Sequence, residues 1–175
     1  QPRCHLHPHR PTAQKEIPMN RKDRGITDQT DCIQLLRRCD TLRLGLWDSA
    51  MPYVVPVSFG MEVIDNQIML YIHGAARGKK VDCLTQHPQV CVEGDIFYKV
   101  EPTQMGITTR YESVIGFGTA EKVEGDEKVH GLKVMLEHYH SADYPVECCR
   151  GLTHTAVYKI TLDSLTGKRN LPESD

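Results

Sequence analysis

Between Thr41 and His73 short alternating or wholly apolar runs are cut by close-set turn signals, and this pattern points to antiparallel strands joined as hairpins. Leu42, Leu44 and Leu46 point one way with Arg43 opposite, and Asp48, Ser49 and Ala50 turn the chain into an extended stretch from Pro52 to Gly60. Met61 to Ile64 and Gln67 to His73 flank Asp65 and Asn66 as a second hairpin. Further strands are expected at Gln89 to Glu93, where Val90 and Val92 alternate with Gln89, Cys91 and Glu93, at Tyr111 to Val123, and at Thr155 to Leu162. Gly116 and Gly118 fall inside a strand, where glycine marks a bulge or the close approach of another group. The stretch from Asp95 to Gly106 reads as a loop or edge segment.

Three helices complete the pattern. Thr27 or Asp28 can cap a helix whose apolar face is Ile33, Leu35 and Leu36 and which ends near Cys39 and Asp40. From Ala75 to Gln86 the residues Val81, Cys83 and Leu84 fall near helical spacing, and Glu127 to Tyr139 clusters Val129, Leu132, Val134, Met135 and Leu136 in the same way. About six strands joined mostly by short turns, with two to four peripheral helices, imply a mainly β protein built on a small antiparallel barrel. Neither G-x-G-x-x-G nor a P-loop occurs, so a Rossmann or nucleoside triphosphatase reading lacks its fingerprint.

With 175 residues, 39% of them hydrophobic, the chain can bury one core of ordinary size. Residues Gln1 to Pro18 combine four prolines with Cys4, His5, His7 and His9 and no apolar periodicity. The segment 1–18 is therefore expected to be a disordered leader or an appended stretch, Met19 a natural start, and 19–175 a single domain. The HLHPH spacing could grip a transition metal, but a flexible cluster without supporting partners makes a weak site. Twenty-one basic against 23 acidic residues give no global field for nucleic acid or an anionic membrane, so any anion site must be local. The cysteines number seven and form no C-x-x-C pair, which points to reduced thiols. No apolar run reaches the roughly 20 residues of a membrane span, and a soluble cytoplasmic protein is expected.

The chemistry concentrates in Leu70 to Lys80, LYIHGAARGKK. A strand ending in His73 and Gly74 runs into Gly78, Lys79 and Lys80 at the start of a helix, where unpaired backbone N–H groups and two ammonium groups converge. That is a candidate phosphate clamp, although adjacent lysines also suit an exposed helix face. Other constellations are weaker. His138, Tyr139 and His140 beside Glu137 turn to different sides of a helix end and read as a solvated terminus. Cys148 and Cys149 are adjacent and cannot easily bridge each other; Arg150 beside them favours a thiolate, yet idle thiols are the plainer reading. Trp47, near a turn, suits a core or an interface anchor.

Several segments taken together carry a family resemblance: NRKDRGITD at Asn20 to Asp28, RLGL at Arg43 to Leu46, PYVVPVSFG at Pro52 to Gly60, YIHGAARGKK at Tyr71 to Lys80, HPQVCVE at His87 to Glu93, YESVIGFGTAEKV at Tyr111 to Val123 and YKITLDSLTGK at Tyr158 to Lys168. In unbroken order they resemble the pyridoxamine phosphate oxidase-like flavoproteins, and within them the 5-nitroimidazole resistance branch. The resemblance implies a split β-barrel of Greek-key type that forms a homodimer and binds FMN in clefts between the subunits. Carried across by position, it puts Pro56, Val57 and Ser58 nearest the flavin ring, brings Tyr71, Ile72 and His73 to the cofactor, and gives Lys79 and Lys80 its phosphate. Tyr111 and Ser113 match the long strand that approaches the cofactor. His73 is the implied catalytic residue, an imidazole beside the ring able to give a hydrogen bond or a proton to a nitro group. The function implied is an FMN-dependent oxidoreductase acting on a nitro group or a similar small oxidised substrate. The alternative is a non-catalytic flavin- or haem-binding protein on the same barrel, with His73, His130, His138 or His154 as a haem ligand. A pyridoxamine phosphate oxidase proper ranks below both, since the HGA sequence and the RKDR segment lean toward the nitroimidazole branch.

Overall fold

The computed structural model describes residues 21–172, so the 1–18 segment, Met19 and the HLHPH cluster lie outside the described residues. A two-residue strand β1 (Gly25–Ile26) precedes helix α1 (Gln29–Arg38), whose start is capped by Asp28 accepting from the Thr30 N–H at 2.8 Å. There follow β2 (Leu42–Asp48), β3 (Met51–Val57), β4 (Phe59–Ile64), β5 (Gln67–Ala75), α2 (Lys79–Gln86), β6 (Gln89–Thr103), β7 (Gly106–Val123), α3 (Gly125–His138) and β8 (Thr155–Asn170). Every strand pairing is antiparallel, and the order across the sheet is β3-β2-β6-β7-β8-β5-β4, with β1 on β8.

The decisive feature is the connection from β3 to β4. Only Ser58 separates them, yet they occupy opposite ends of the hydrogen-bonded path. The sheet therefore curls until its two edges meet covalently at one residue without pairing, which is a split barrel. Pro52 and Pro56 suit β3 to an edge, because a proline has no N–H to give a second neighbour. The extended stretch expected from Pro52 to Gly60 is thus two strands.

Inward-facing side chains alternate as the period-two pattern requires. Leu42, Leu44, Phe59, Leu70, Ile72 and Ile160 are completely buried in the barrel interior, joined by Leu35 and Leu36 of α1. A second, smaller core lies on the other face of β5, where Tyr71, Val123 and Val157 meet Val134 and Met135 of α3. The seat of α3 depends on two glycines: a Cβ at Gly131 would lie within 3.0 Å of the Tyr71 ring, and one at Gly60 2.6 Å from the Met135 Cα. Gly118 sits at a register shift where a side chain would strike the Thr161 carbonyl, the close approach expected of a strand glycine.

Three strands, β6, β7 and β8, outrun their expected bounds by several residues, β7 starting at Gly106. Residues 95–103 continue β6 and pair with β7 as a long arm, not a loop; past Glu93 β2 no longer pairs with β6, so the arm is the edge segment of the two readings. Phe97, Val100 and Ile107 are exposed there, so the arm lacks the one-sided burial that makes a strand readable from sequence. β8 likewise runs on to Asn170 along β7.

Candidate functional site

β5 outlasts its neighbour. Its pairing with β4 ends at Ile72 opposite Phe59, whereas pairing with β8 continues through His73, Gly74 and Ala75. The β4 side of these last residues has no strand partner, and a backbone carbonyl there needs a donor from elsewhere. Lys80 supplies it: its Nζ donates to the His73 carbonyl at 2.9 Å. The ammonium lies over Gly74, where a Cβ would come within 2.7 Å of it. Gly78 caps α2 at φ 128°, a backbone region suited to glycine, and nothing lies within 4 Å of where its Cβ would stand.

The two lysines diverge. Lys79 pairs with Asp48 at the end of β2 at 2.7 Å and sits 4.6 Å from the centroid of the Tyr53 ring. The Asp48 carboxylate raises the Lys79 ammonium above the ordinary lysine value, while burial lowers that of Lys80. Desolvation at the cavity wall and, secondly, the Lys80 charge hold the imidazole of His73, itself an exposed residue, below the usual histidine value.

Beside His73 opens a cavity of about 360 Å³. Ser58 at the split, His73 on β5 and Thr155 at the start of β8 contribute its polar floor. α3 forms one wall with Leu132, Met135, Leu136 and its C-cap Tyr139, and the segment between α3 and β8 covers it with Tyr144, Val146, Cys149 and Leu152. The lining among the described residues includes no Lys, Arg, Asp or Glu. Tyr139 is locked in place, its hydroxyl donating to the Asp40 carbonyl at 2.7 Å and accepting from the Phe59 N–H at 3.1 Å. His138 is not the solvated terminus expected: its Nε2 lies 2.9 Å from the Cys39 carbonyl, and its ring packs on Phe59 at 4.3 Å between centroids. These contacts pin the end of α3 to the start of β4, immediately after Ser58.

Of the residues singled out from sequence, Ser58 and His73 meet in this cavity, and Lys80 reaches His73 from α2. Tyr71 and Ile72 are buried on opposite faces of β5, Ile72 in the barrel core and Tyr71 under α3 with its hydroxyl donating to Glu62 at 3.0 Å. Their side chains are committed to packing. Val57 is buried in the barrel, and Pro56 is exposed on the outer face of β3. Tyr111 and Ser113 are half-buried on the outer face of β7, away from the cavity lining, and Ser113 stands opposite Asp95. Pro56 pairs with Arg43, Arg43 with Glu93 and Glu93 with Ile115, so this outer face continues from β3 across β2 and β6 to β7.

Tyr139, Tyr144 and Thr155 are lining residues that local sequence reasoning does not select. Their nearest signal is the apolar face of α3 followed by a short connection back to a strand beside His73. Cys149, set aside as an idle thiol, lines the cavity, whereas Cys148 is exposed.

Comparison with known proteins follows the same outline. No curated protein sequence matches the chain. Among solved structures, a candidate 5-nitroimidazole antibiotic resistance protein from Bacteroides thetaiotaomicron superposes with a TM-score of 0.71 at 28% identity, covering 82% of this chain and 85% of that one. The FAD and heme binding protein from Mycobacterium smegmatis reaches a TM-score of 0.73 at 20% identity, over 87% and 77% of the two chains. A flavocytochrome from Azotobacter vinelandii gives 0.68 at 19% identity, over 86% and 72%. The last two likenesses are of fold. The split sheet, the helix start beside the end of β5 and the order of the strands fall within residues 28–169, the stretch that matches the family described as pyridoxamine 5'-phosphate oxidase, and the chain belongs to that family.

Proposed function

We propose that the protein is an FMN-dependent oxidoreductase that reduces a nitro group or a similar small oxidised acceptor, with His73 handling the substrate proton. The observation that carries this reading is the meeting of His73 and Ser58 in an apolar cavity, on a strand end that Lys80 of α2 ties down through the His73 carbonyl. The start of α2 fits the phosphate end of such a cofactor. By helix geometry the N–H groups of its first residues have no intrahelical partner, Gly78 leaves open space, and Lys79 and Lys80 bring two cations.

When bound, FMN would supply the electron transfer. The chain's own groups do the rest. Lys79 and Lys80 hold the phosphate; the β3 edge from Pro56 to Ser58 borders the ring; the apolar lining from α3 excludes water; and the His73 imidazole presents an N–H toward the reacting group. The outer face spanning β3, β2, β6 and β7 exposes Val54, Trp47, Ile115 and Phe117, and a second copy of the chain covers it in a homodimer with the cofactor between subunits. Tyr111 and Ser113 then approach the cofactor from this face.

A cavity lined without a cation disfavours a phosphorylated vitamer as substrate and favours an uncharged molecule about the size of one ring. The haem alternative loses two of its ligands: the Nε2 of His130 is engaged by Glu62 at 2.9 Å and that of His138 by the Cys39 carbonyl. An absorption spectrum of the purified protein decides between flavin bands and a sharp Soret band. If the flavin-loaded, chemically reduced protein is reoxidised by a nitroimidazole no faster than free FMN is, the reductase reading fails.

A further inference from the structure

Two tyrosines line the cavity beside His73, and they are held in opposite ways. We propose that Tyr144 determines which molecules the cavity accepts: its ring closes over a planar aromatic occupant and disfavours a puckered ring of the same size. The assignment rests on the reading of this cavity as the acceptor site.

Tyr139 is fixed. Its hydroxyl gives one hydrogen bond to the Asp40 carbonyl and takes one from the Phe59 N–H, so its ring is a rigid part of the wall. Tyr144 lines the same cavity yet is 54% exposed, and among the described residues its side chain makes no hydrogen bond and no ring contact. This freedom belongs to the side chain, because the backbone on either side is held. Before it, the Ser141 N–H donates to the Leu136 carbonyl at 2.8 Å and the Tyr144 N–H to the Ser141 carbonyl at 3.2 Å. After it, Val146 is buried and Glu147 pairs with Lys133 of α3. At the far end of the cover the His154 carbonyl accepts from the Ala76 N–H at 3.2 Å, which ties the segment to the strand of His73. A loose ring on a fixed segment can swing over an occupant without moving the main chain.

The chemistry of the occupant follows from what such a ring can offer. A half-exposed tyrosine at an apolar chamber gains by covering apolar surface while its hydroxyl stays in water. Two aromatic rings attract beyond the area they bury when they meet offset or edge to face, with centroids about 4.5–7 Å apart. A saturated ring lacks the quadrupole behind that attraction, and its thicker, puckered outline keeps Tyr144 from lying flat on it. The lining among the described residues has no Lys, Arg, Asp or Glu, so full charges take no part in the choice. Shape and aromaticity make it.

Nitrobenzene and nitrocyclohexane share the nitro group and the six-membered ring and differ in planarity. NMR chemical-shift titration of the purified, flavin-free protein with each probe measures the preference without a flavin ring to stack on. In the unaltered protein nitrobenzene binds about two- to tenfold more tightly, the range of one aromatic pair. Tyr144→Phe keeps this preference. Tyr144→Leu keeps apolar bulk without the ring, and the preference disappears; since the Tyr144 side chain holds no contact of the fold, both variants keep the Tm of the unaltered protein. Equal binding of the two probes to the unaltered protein, binding of neither, or a preference that survives in Tyr144→Leu overturns the proposal. No electron transfer takes part in the titration, so its failure leaves the flavin reductase reading standing for a non-planar acceptor, and a protein that reduces no nitro compound leaves the titration result intact.

Discussion

Replacing Gly60 with alanine tests whether the wall of the cavity is seated as described. Gly60 is the second residue of β4, two residues after the split, and α3 crosses it so closely that a methyl group would lie 2.6 Å from both the Met135 Cα and the Val134 carbonyl carbon. Comfortable carbon contact needs about 3.5–4.0 Å, so the helix must retreat by about 1 Å. Both opposing atoms are main chain, and no rotamer change can absorb the clash. Retreat loosens Val134 and Met135 from Tyr71, Val123 and Val157, the whole of the smaller core. Overpacking of this kind costs about 1–3 kcal/mol, and the rigidity of the obstacle argues for about 3. For a domain of this size that is a fall in Tm of about 6–12 °C. Thermal unfolding followed by circular dichroism measures it. Gly151→Ala is the control, since a methyl group there meets nothing closer than Cys149 Sγ at 3.7 Å. If Gly60→Ala melts within about 2 °C of the unaltered protein, α3 is not packed on β4 as argued, and the cavity loses one wall.

Three further outcomes are expected. His73→Ala retains flavin but slows reoxidation of the reduced, flavin-loaded protein by a nitro compound about 100-fold in stopped-flow absorbance, the lower range for loss of a general acid. Lys79→Ala weakens FMN, measured by fluorescence quenching, by about 1.5 kcal/mol or roughly tenfold, because the ammonium must leave Asp48 to reach a phosphate; Asp48→Asn tightens it. Glu112 is a buried carboxylate, 4% exposed, held by Arg38 and Tyr98 at 2.5 Å each. Burial pushes its carboxyl up, but those hydrogen bonds outweigh it and keep the group below the ordinary glutamate value of 4.5. A depressed folded-state value means that the stabilisation is complete above about pH 4.5 and is lost as acid titrates the folded carboxylate. Glu112→Gln should accordingly cost about 2 kcal/mol in urea unfolding at neutral pH, a difference that shrinks under strongly acidic conditions.

What could be read from sequence and what could not divides along the range of the interactions. α1 and its Asp28 cap, the inward Leu42, Leu44 and Leu46, and the Asp65–Asn66 turn depend on neighbours a few residues away, so periodicity and turn chemistry suffice. Ser58 does not announce itself. The stretch around it is extended on both sides, and the parting of β3 from β4 is decided by β2 and β5, which claim them at opposite edges of the sheet. The family resemblance supplied the split where local pattern showed one strand. The lysine pair was legible as composition, but adjacent residues on a helix diverge by about 100°, and that angle sends Lys79 to Asp48 and Lys80 to His73. Likewise Tyr139, Tyr144 and Thr155 come from a helix, its following segment and a strand, and no spacing within any one of them encodes their convergence. The residues that converge do so for a backbone reason. Where the sheet parts at Ser58, β5 runs past its partner, a carbonyl is left to be satisfied, and α2 arrives with the ammonium that satisfies it. The same departure of β4 leaves the space that α3 walls off as a cavity. A barrel closed by hydrogen bonds at that corner would have neither the free strand end nor the chamber beside it, so the site is a consequence of the split.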